Sequence, residues 1–219
     1  MGQRAELMEF LSTFLTPDRI ARIKEVLARR TNHLTVVLED IYDPHNASAV
    51  LRSCDAMGVQ TVHVIQDRHR FHLNEAVAMG SGKWLDLVYY QNTESCFTAL
   101  RAQGYFIAAA SPPNARSVYL GDFQKRSKTA IVMGSERDGL SSYARNNSDA
   151  LLTIPMRGFA ESFNLSVSAA LLIFNLGQED LPPLSSEELD DVEFRWITSS
   201  LRNPEELIRR FESKDAPET

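Results

Sequence analysis

From residue 34 onward, short apolar runs alternate with stretches of helical character, and this rhythm limits the folds open to the chain. The runs are LTVVL at 34–38, TVHVI at 61–65, LVYY at 87–90, YFIAAA at 105–110, TAIVM at 129–133 and LLTI at 151–154. They are apolar almost throughout, as in strands buried on both faces, where a half-buried strand would alternate. The segments between them predict helices at 47–57, closed by Gly58, at 94–103, closed by Gly104, at 141–147, and at 164–176 before Gly177. Doubly buried strands joined by helices define an α/β fold, a largely parallel sheet covered by helices on both faces.

The two ends read differently. Thr16-Pro17 has the form of a helix cap followed by proline at the first helical position, and Ile20, Ile23 and Leu27 recur at helical spacing, which predicts an amphipathic helix over 17–30. Its polar face carries Arg19, Arg22, Lys24, Arg29 and Arg30. LPPLSS at 181–186 breaks the pattern, and short helices are expected at 186–200 and from Pro204 to about 212, the second capped by Asn203. We therefore expect a helical extension over 1–33, the α/β domain over 34–177, and a helical appendage over 178–219 too short for a core of its own.

The net charge of −6 is unevenly placed. Residues 1–177 hold 18 Lys/Arg against 17 Asp/Glu, and residues 178–219 hold 5 against 12. The acidity belongs to the C-terminal segment, and the nearly neutral body with local basic clusters suits gripping phosphates at a few places, not general polyanion binding. Cys54 and Cys96 have neither zinc nor redox spacing and fit a reduced, cytoplasmic compartment; no metal is expected. The opening residues MGQRAELMEFLSTFL contain acids and no long apolar run, so neither a signal peptide nor a membrane association is expected.

In open α/β sheets ligands gather in loops at the carboxyl ends of strands. Three such loops have unusual composition. In Asp43-Pro44-His45-Asn46-Ala47-Ser48, Asn46 suits a helix cap, and Arg52 lies six residues on, about 9 Å along the axis, within reach of a phosphate. Taken alone, the segment reads better as an ordinary cap with a solvated arginine. Gly134-Ser135-Glu136-Arg137-Asp138-Gly139-Leu140 places two glycines around a charged stretch, either a plain surface loop or tight backbone beside a ligand. It lacks the dinucleotide and phosphate-loop fingerprints, which argues against a nucleotide-dependent oxidoreductase. In the third, running from Ile154 to Ser168, Ser162 or Asn164 could simply cap the following apolar helix. Pro155 and Gly158 nevertheless give the rigid, glycine-bearing backbone that suits enclosing a small molecule.

Together PHNASAVLRSCDAMGV, IVMGSERDGL and IPMRGFAESFNLSVSAAL resemble the three motifs of the SPOUT superfamily, specifically its TrmH (SpoU) branch of RNA ribose 2′-O-methyltransferases. The resemblance spans about residues 17–177. Within the branch, IKEVLARRTNHLTVVLEDIYDPHN is especially similar to enzymes that methylate a D-loop guanosine of transfer RNA. The resemblance implies a deep trefoil knot in the C-terminal part of the sheet, a homodimer, and an S-adenosylmethionine pocket formed by the knot. Carried onto this chain, that pocket involves Ala109, Gly134, Ile154, Met156, Phe163 and Leu165, mostly through backbone atoms. The family's catalytic positions fall on Asn46, Arg52, Glu136, Ser162 and Asn164, all matching in residue type.

A guanidinium keeps its proton in ordinary protein settings. We therefore expect Arg52 to hold the phosphate next to the target ribose and polarise the hydroxyl, with the phosphate or a water accepting the proton and Asn46 orienting Arg52. Arg19, Arg22, Arg29, Arg30, Arg68, His69, Arg70 and Lys83 are candidate phosphate contacts, each alternatively a solvated surface charge. After the third motif the chain reads NLGQEDLPPL where family members often carry arginine- and glutamine-rich helix, so that source of positive charge is missing.

Three readings follow: a transfer-RNA enzyme, a ribosomal-RNA enzyme of the same fold, and a non-catalytic RNA-binding protein that kept the fold. Ribosomal-RNA enzymes commonly carry a separate N-terminal substrate domain, for which 33 residues are too few. The full set Asn46, Arg52, Glu136 and Asn164 argues against the non-catalytic reading.

Overall fold

The computed structural model describes residues 2–68, 70–72, 80–114, 116–124, 128–178 and 181–214. The chain divides into two compact units, one formed by Met1–Arg30 with Pro183–Thr219 and the other by Thr31–Pro182.

The larger unit is built on seven strands: β1 (Leu34–Glu39), β2 (Thr61–Ile65), β3 (Asp86–Tyr90), β4 (Phe106–Ala110), β5 (Ser117–Tyr119), β6 (Thr129–Met133) and β7 (Ala150–Thr153). They form one sheet in the order β3-β2-β1-β6-β4-β7-β5, with every pairing parallel. β5 was not expected, because three residues between polar turns leave no apolar run to find.

Both faces of the inner strands are buried, and successive residues divide between them. Val36 and Leu38 of β1, Ile131 and Met133 of β6 and Ala108 of β4 point to one cluster. Val37, Ala130, Val132, Ile107 and Ala109, each one residue away, point to the other. The first cluster is closed by α3 (Pro44–Ala56) through Val50, Leu51 and Cys54, and by α6 (Leu165–Leu176) through Leu172 and Ile173. The second is closed by α4 (Thr93–Ala102) through Cys96, Phe97 and Leu100, and by α5 (Ser142–Asn147) through Ala144.

The smaller unit contains α1 (Gln3–Ser12), α2 (Pro17–Leu27), α7 (Ser186–Ser200) and α8 (Pro204–Lys214). The Thr16 hydroxyl caps α2 by accepting from the Arg19 N–H at 3.2 Å, and Ser185 with Glu188 forms a capping box on α7. Arg30 is 1% exposed. Its guanidinium lies over the Trp196 ring, 5.0 Å from the centroid, and its carbonyl accepts from the Leu184 N–H. Among the described residues no helix is long and apolar enough to cross a membrane.

Candidate active site

The carboxyl ends of β1, β6 and β7 lie close together because β6 is the direct neighbour of β1, and β7 lies two positions beyond β6 with only β4 between them. The three unusual loops therefore meet. The first opens at Asp40, a buried residue with φ of 51°, a region costly for side chains other than glycine. Asp40 accepts from the Arg68 backbone N–H at 2.9 Å and from Arg68 Nε at 3.1 Å, while Arg68 Nη1 reaches Asp138 at 3.3 Å. The hydrogen bond that Arg68 donates to Asp40 raises the Arg68 pKa further, so this guanidinium is a permanent cation between two loops. Asp43, not Asn46, caps α3, accepting from the His45 N–H at 2.9 Å. The reason is Pro44: it takes the first helical position, where a missing N–H costs nothing, and so puts the cap on the residue before it, three positions ahead of Asn46.

That shift frees Asn46 for the site. Its Nδ2 donates to Glu136 Oε1 at 2.9 Å, and its Oδ1 accepts from Asn164 Nδ2 at 3.1 Å. The second Glu136 oxygen accepts from the Tyr42 N–H at 3.2 Å. Asn164 in turn caps α6, its Oδ1 accepting from the Ser166 N–H at 2.8 Å and the Ser166 hydroxyl at 2.6 Å. One side-chain chain, Glu136–Asn46–Asn164, thus joins all three loops, and the network fixes the Asn46 amide with its NH₂ toward the carboxylate. The structure bonds Asn46 to these two partners and not to Arg52. Six residues on, Arg52 is turned about 120° around the helix from Asn46. It is exposed and, among the described residues, makes no hydrogen bond or ion pair.

The loop from Gly134 to Leu140 is a tight return. Ser135 and Gly139 exchange both backbone hydrogen bonds, at 3.0 and 2.9 Å, and the Ser135 hydroxyl accepts from the N–H groups of Arg137 and Asp138. A Cβ at Gly134 would stand 2.3 Å from the Leu140 nitrogen, so only glycine fits. The far end of the return is anchored by Glu39, a buried carboxylate at the end of β1. It accepts from the Ser141 N–H at 2.8 Å, the Ser141 hydroxyl at 2.7 Å and the Thr93 hydroxyl at 2.5 Å.

Between these loops lies a cavity of about 620 Å³, within the usual size of a small-molecule site. Gly134, Glu136, Ile154, Met156, Ser162, Phe163, Asn164 and Leu165 line it. Leu152 adds to the apolar part of the wall, and Asp138, Glu161 and Arg145 add charge. The cavity can hold a flat apolar group against Leu152, Ile154, Met156 and Leu165 while meeting both cationic and anionic groups. Ala109 does not line it. Its side chain is buried on the opposite face of the sheet, and Ala110, the next residue of β4, lines the cavity. Among the described residues no three His, Cys, Asp or Glu side chains could hold a metal ion.

The candidate RNA contacts are dispersed. Arg22 and Arg29 both pair with Glu25, and the Arg22 hydrogen bond lowers the Glu25 pKa. Arg19 reaches the Ser200 hydroxyl at 3.4 Å. Arg30, expected on the polar face of its helix, is withdrawn from solvent because α2 ends at Leu27 and the chain turns the guanidinium onto Trp196. Lys83 lies over Trp84, with the ammonium 5.1 Å from the ring centroid. Arg70 is exposed, and His69 lies outside the described residues. Arg68 has the structural task described above. The reading of the sequence missed Glu39, Asp40, Tyr42 and Arg137; two acids directly after an apolar strand were the available signal for the first pair.

This constellation defines the class. Residues 33–174 match the family described as the SpoU rRNA Methylase family, and the chain belongs to it. It is 40% identical over 166 residues to the tRNA (guanosine(18)-2′-O)-methyltransferase of Borreliella burgdorferi, covering 76% of each chain. It is 35% identical over 190 residues to the enzyme of the same description from Thermus thermophilus, covering 83% of this chain and 97% of that one. Among solved structures, the A. aeolicus TrmH/SpoU tRNA modifying enzyme superposes with a TM-score of 0.76 at 27% identity, over 84% of this chain and 97% of its own.

Proposed function

We propose that this protein transfers a methyl group from S-adenosylmethionine to the ribose 2′-hydroxyl of a D-loop guanosine in transfer RNA. The observation that carries the reading is the Glu136–Asn46–Asn164 chain at the rim of the cavity, which draws three separated segments to one point. The names of the two relatives given above support the substrate.

The lining fits the cofactor: aliphatic side chains and glycine backbone for a flat base, and Glu136, Glu161 and Arg145 for its charged amino-acid end. When bound, S-adenosylmethionine supplies an electrophilic methyl carbon for in-line displacement. The protein's own residues place the nucleophile, which provides much of the rate. Arg52, exposed on α3, grips the phosphate beside the target ribose through its planar fork and polarises the hydroxyl, whose proton passes to that phosphate or to water. Glu136, Ser162 and Asn164 shape the loops around the ribose. Arg19, Arg22, Arg29, Arg70 and Lys83 contribute phosphate contacts, so affinity for RNA falls as salt rises.

The protein acts in the cytoplasm as a homodimer whose C-terminal strands thread a trefoil knot. Exposed Val167, Leu171 and Phe174 recur at i, i+4 and i+7 along α6, with Phe163 beside them, and this apolar stripe supports a subunit contact.

The test is incubation with labelled S-adenosylmethionine and unmodified bulk transfer RNA and ribosomal RNA, followed by mapping of the labelled nucleotide. Label confined to a D-loop guanosine bears the reading out, and label in ribosomal RNA alone replaces the substrate. Absence of cofactor binding in calorimetry removes the enzyme reading altogether.

A further inference from the structure

We propose that Tyr42 and Arg137 form a stacking platform for the base of the nucleotide whose ribose is methylated; this rests on the function proposed above. Tyr42 follows β1 directly. Its neighbour Ile41 is buried, but Tyr42 itself turns outward and is 52% exposed. The guanidinium carbon of Arg137 sits 4.0 Å from the centre of its ring, so two planar groups lie one on the other. Arg137 is itself exposed and lines the cavity.

The platform has a fixed position relative to the groups that handle the ribose. The Tyr42 N–H and Asn46 Nδ2 bond to the two oxygens of the same carboxylate, Glu136, and Arg137 is the next residue in the chain. A planar pair is therefore held by the backbone beside the Glu136–Asn46–Asn164 chain, with Arg137 on the cavity wall and Tyr42 beyond it. A ribose held against the Glu136–Asn46–Asn164 chain would have its base toward the adjoining Tyr42 and Arg137.

An unpaired RNA base has two apolar faces and stacks well on an aromatic ring or a guanidinium plane, with little regard to which base it is. A flat, half-exposed tyrosine–arginine pair beside these groups suits this chemistry. The contact between two exposed side chains adds little to folding.

The test is a double-mutant cycle with the full chain and two transfer-RNA transcripts. One carries the methylated nucleotide mapped as above, and the other is abasic at that position. Wild-type protein should bind the abasic RNA roughly tenfold more weakly, the size of one lost stack. Tyr42→Leu should bind intact RNA roughly tenfold more weakly than wild type, with no further loss on removal of the base. Tyr42→Phe should restore the wild-type pattern. In calorimetry Tyr42→Leu should bind S-adenosylmethionine as wild type does, because its side chain does not line the cavity. A full additional tenfold loss for Tyr42→Leu on the abasic RNA would overturn the platform. So would a Tyr42→Leu protein that sediments as a monomer where wild type is a dimer, since Tyr42 would then belong to the subunit contact. Wild-type protein that labels no RNA would remove the underlying reading, and the platform with it.

Discussion

Asn46 and Glu136, ninety residues apart in the chain, meet through a 2.9 Å hydrogen bond in which the amide donates to the carboxylate. The other end of the same amide accepts from Asn164, so Asn46 is satisfied only when all three loops are in place. Substitution by aspartate keeps the shape and replaces the donor with a second negative charge against Glu136. Asn46→Asp should slow single-turnover methyl transfer at least tenfold. Because the pair is exposed, unfolding free energy should fall by only about 1 kcal/mol. Transfer at the wild-type rate would remove Asn46 from the site.

Arg52→Lys keeps the charge and loses the planar fork. Single-turnover transfer should fall at least tenfold, with affinity for S-adenosylmethionine unchanged in calorimetry, because a single ammonium cannot grip a phosphate and polarise a hydroxyl in one geometry. A fully active Arg52→Lys enzyme would rule out bidentate contact.

Gly134→Ala should unfold at lower denaturant and lose cofactor affinity together. The new methyl group would lie 2.3 Å from the Leu140 nitrogen, and the nearest atoms are backbone that cannot step aside. Overpacking of this kind costs about 1–3 kcal/mol, so the urea midpoint should drop measurably. An unchanged midpoint with full binding would show that the return from Gly134 to Leu140 adapts.

His63 gives the fold a dependence on pH. It is buried in β2 with Nδ1 3.1 Å from the Tyr90 hydroxyl, and burial pushes its pKa down to about 4 from 6.5. The unfolded chain therefore binds a proton on this side chain between pH 6.5 and 4 that the folded chain refuses. The stability it contributes is whole above pH 6.5 and is lost as pH falls toward 4, by about 3 kcal/mol in all. Urea unfolding at pH 7 and pH 5 should show a smaller loss in His63→Gln than in wild type. Equal losses would place the titration elsewhere.

The sheet was legible because five of its seven strands are buried on both faces and so appear as unbroken apolar runs, and the edge strand β3, though partly exposed, is apolar in LVYY. β5, half-exposed and three residues long, carries no such signal. Within the site, residue types located the loops but not the division of labour inside them. Asn46 looked like a cap because asparagine commonly is one, and only the geometry around Pro44 shows the cap at Asp43. Ala109 and Ala110 are chemically identical, so which of them faces the cavity depends on strand register, a property of the whole sheet. Arg30 stands in a basic helix by sequence but beyond that helix in space, where Trp196, more than 160 residues away, decides its surroundings. Long-range partners of this kind leave no local mark.

The smaller unit is assembled from both ends of the chain, with α2 packed against α7. This sets an order of events during synthesis. Once Ile23 and Leu27 have been added, the residues of α7 that share their unit follow only after some 160 more. At about 5–20 residues per second that interval is roughly 8–30 s. The nascent helix carries an uncovered apolar face throughout, while the seven-stranded unit is completed in between. A segment made before the seven-stranded unit thus reaches its final place after it, and α2 is where a chaperone or a misassembly would find the growing chain open.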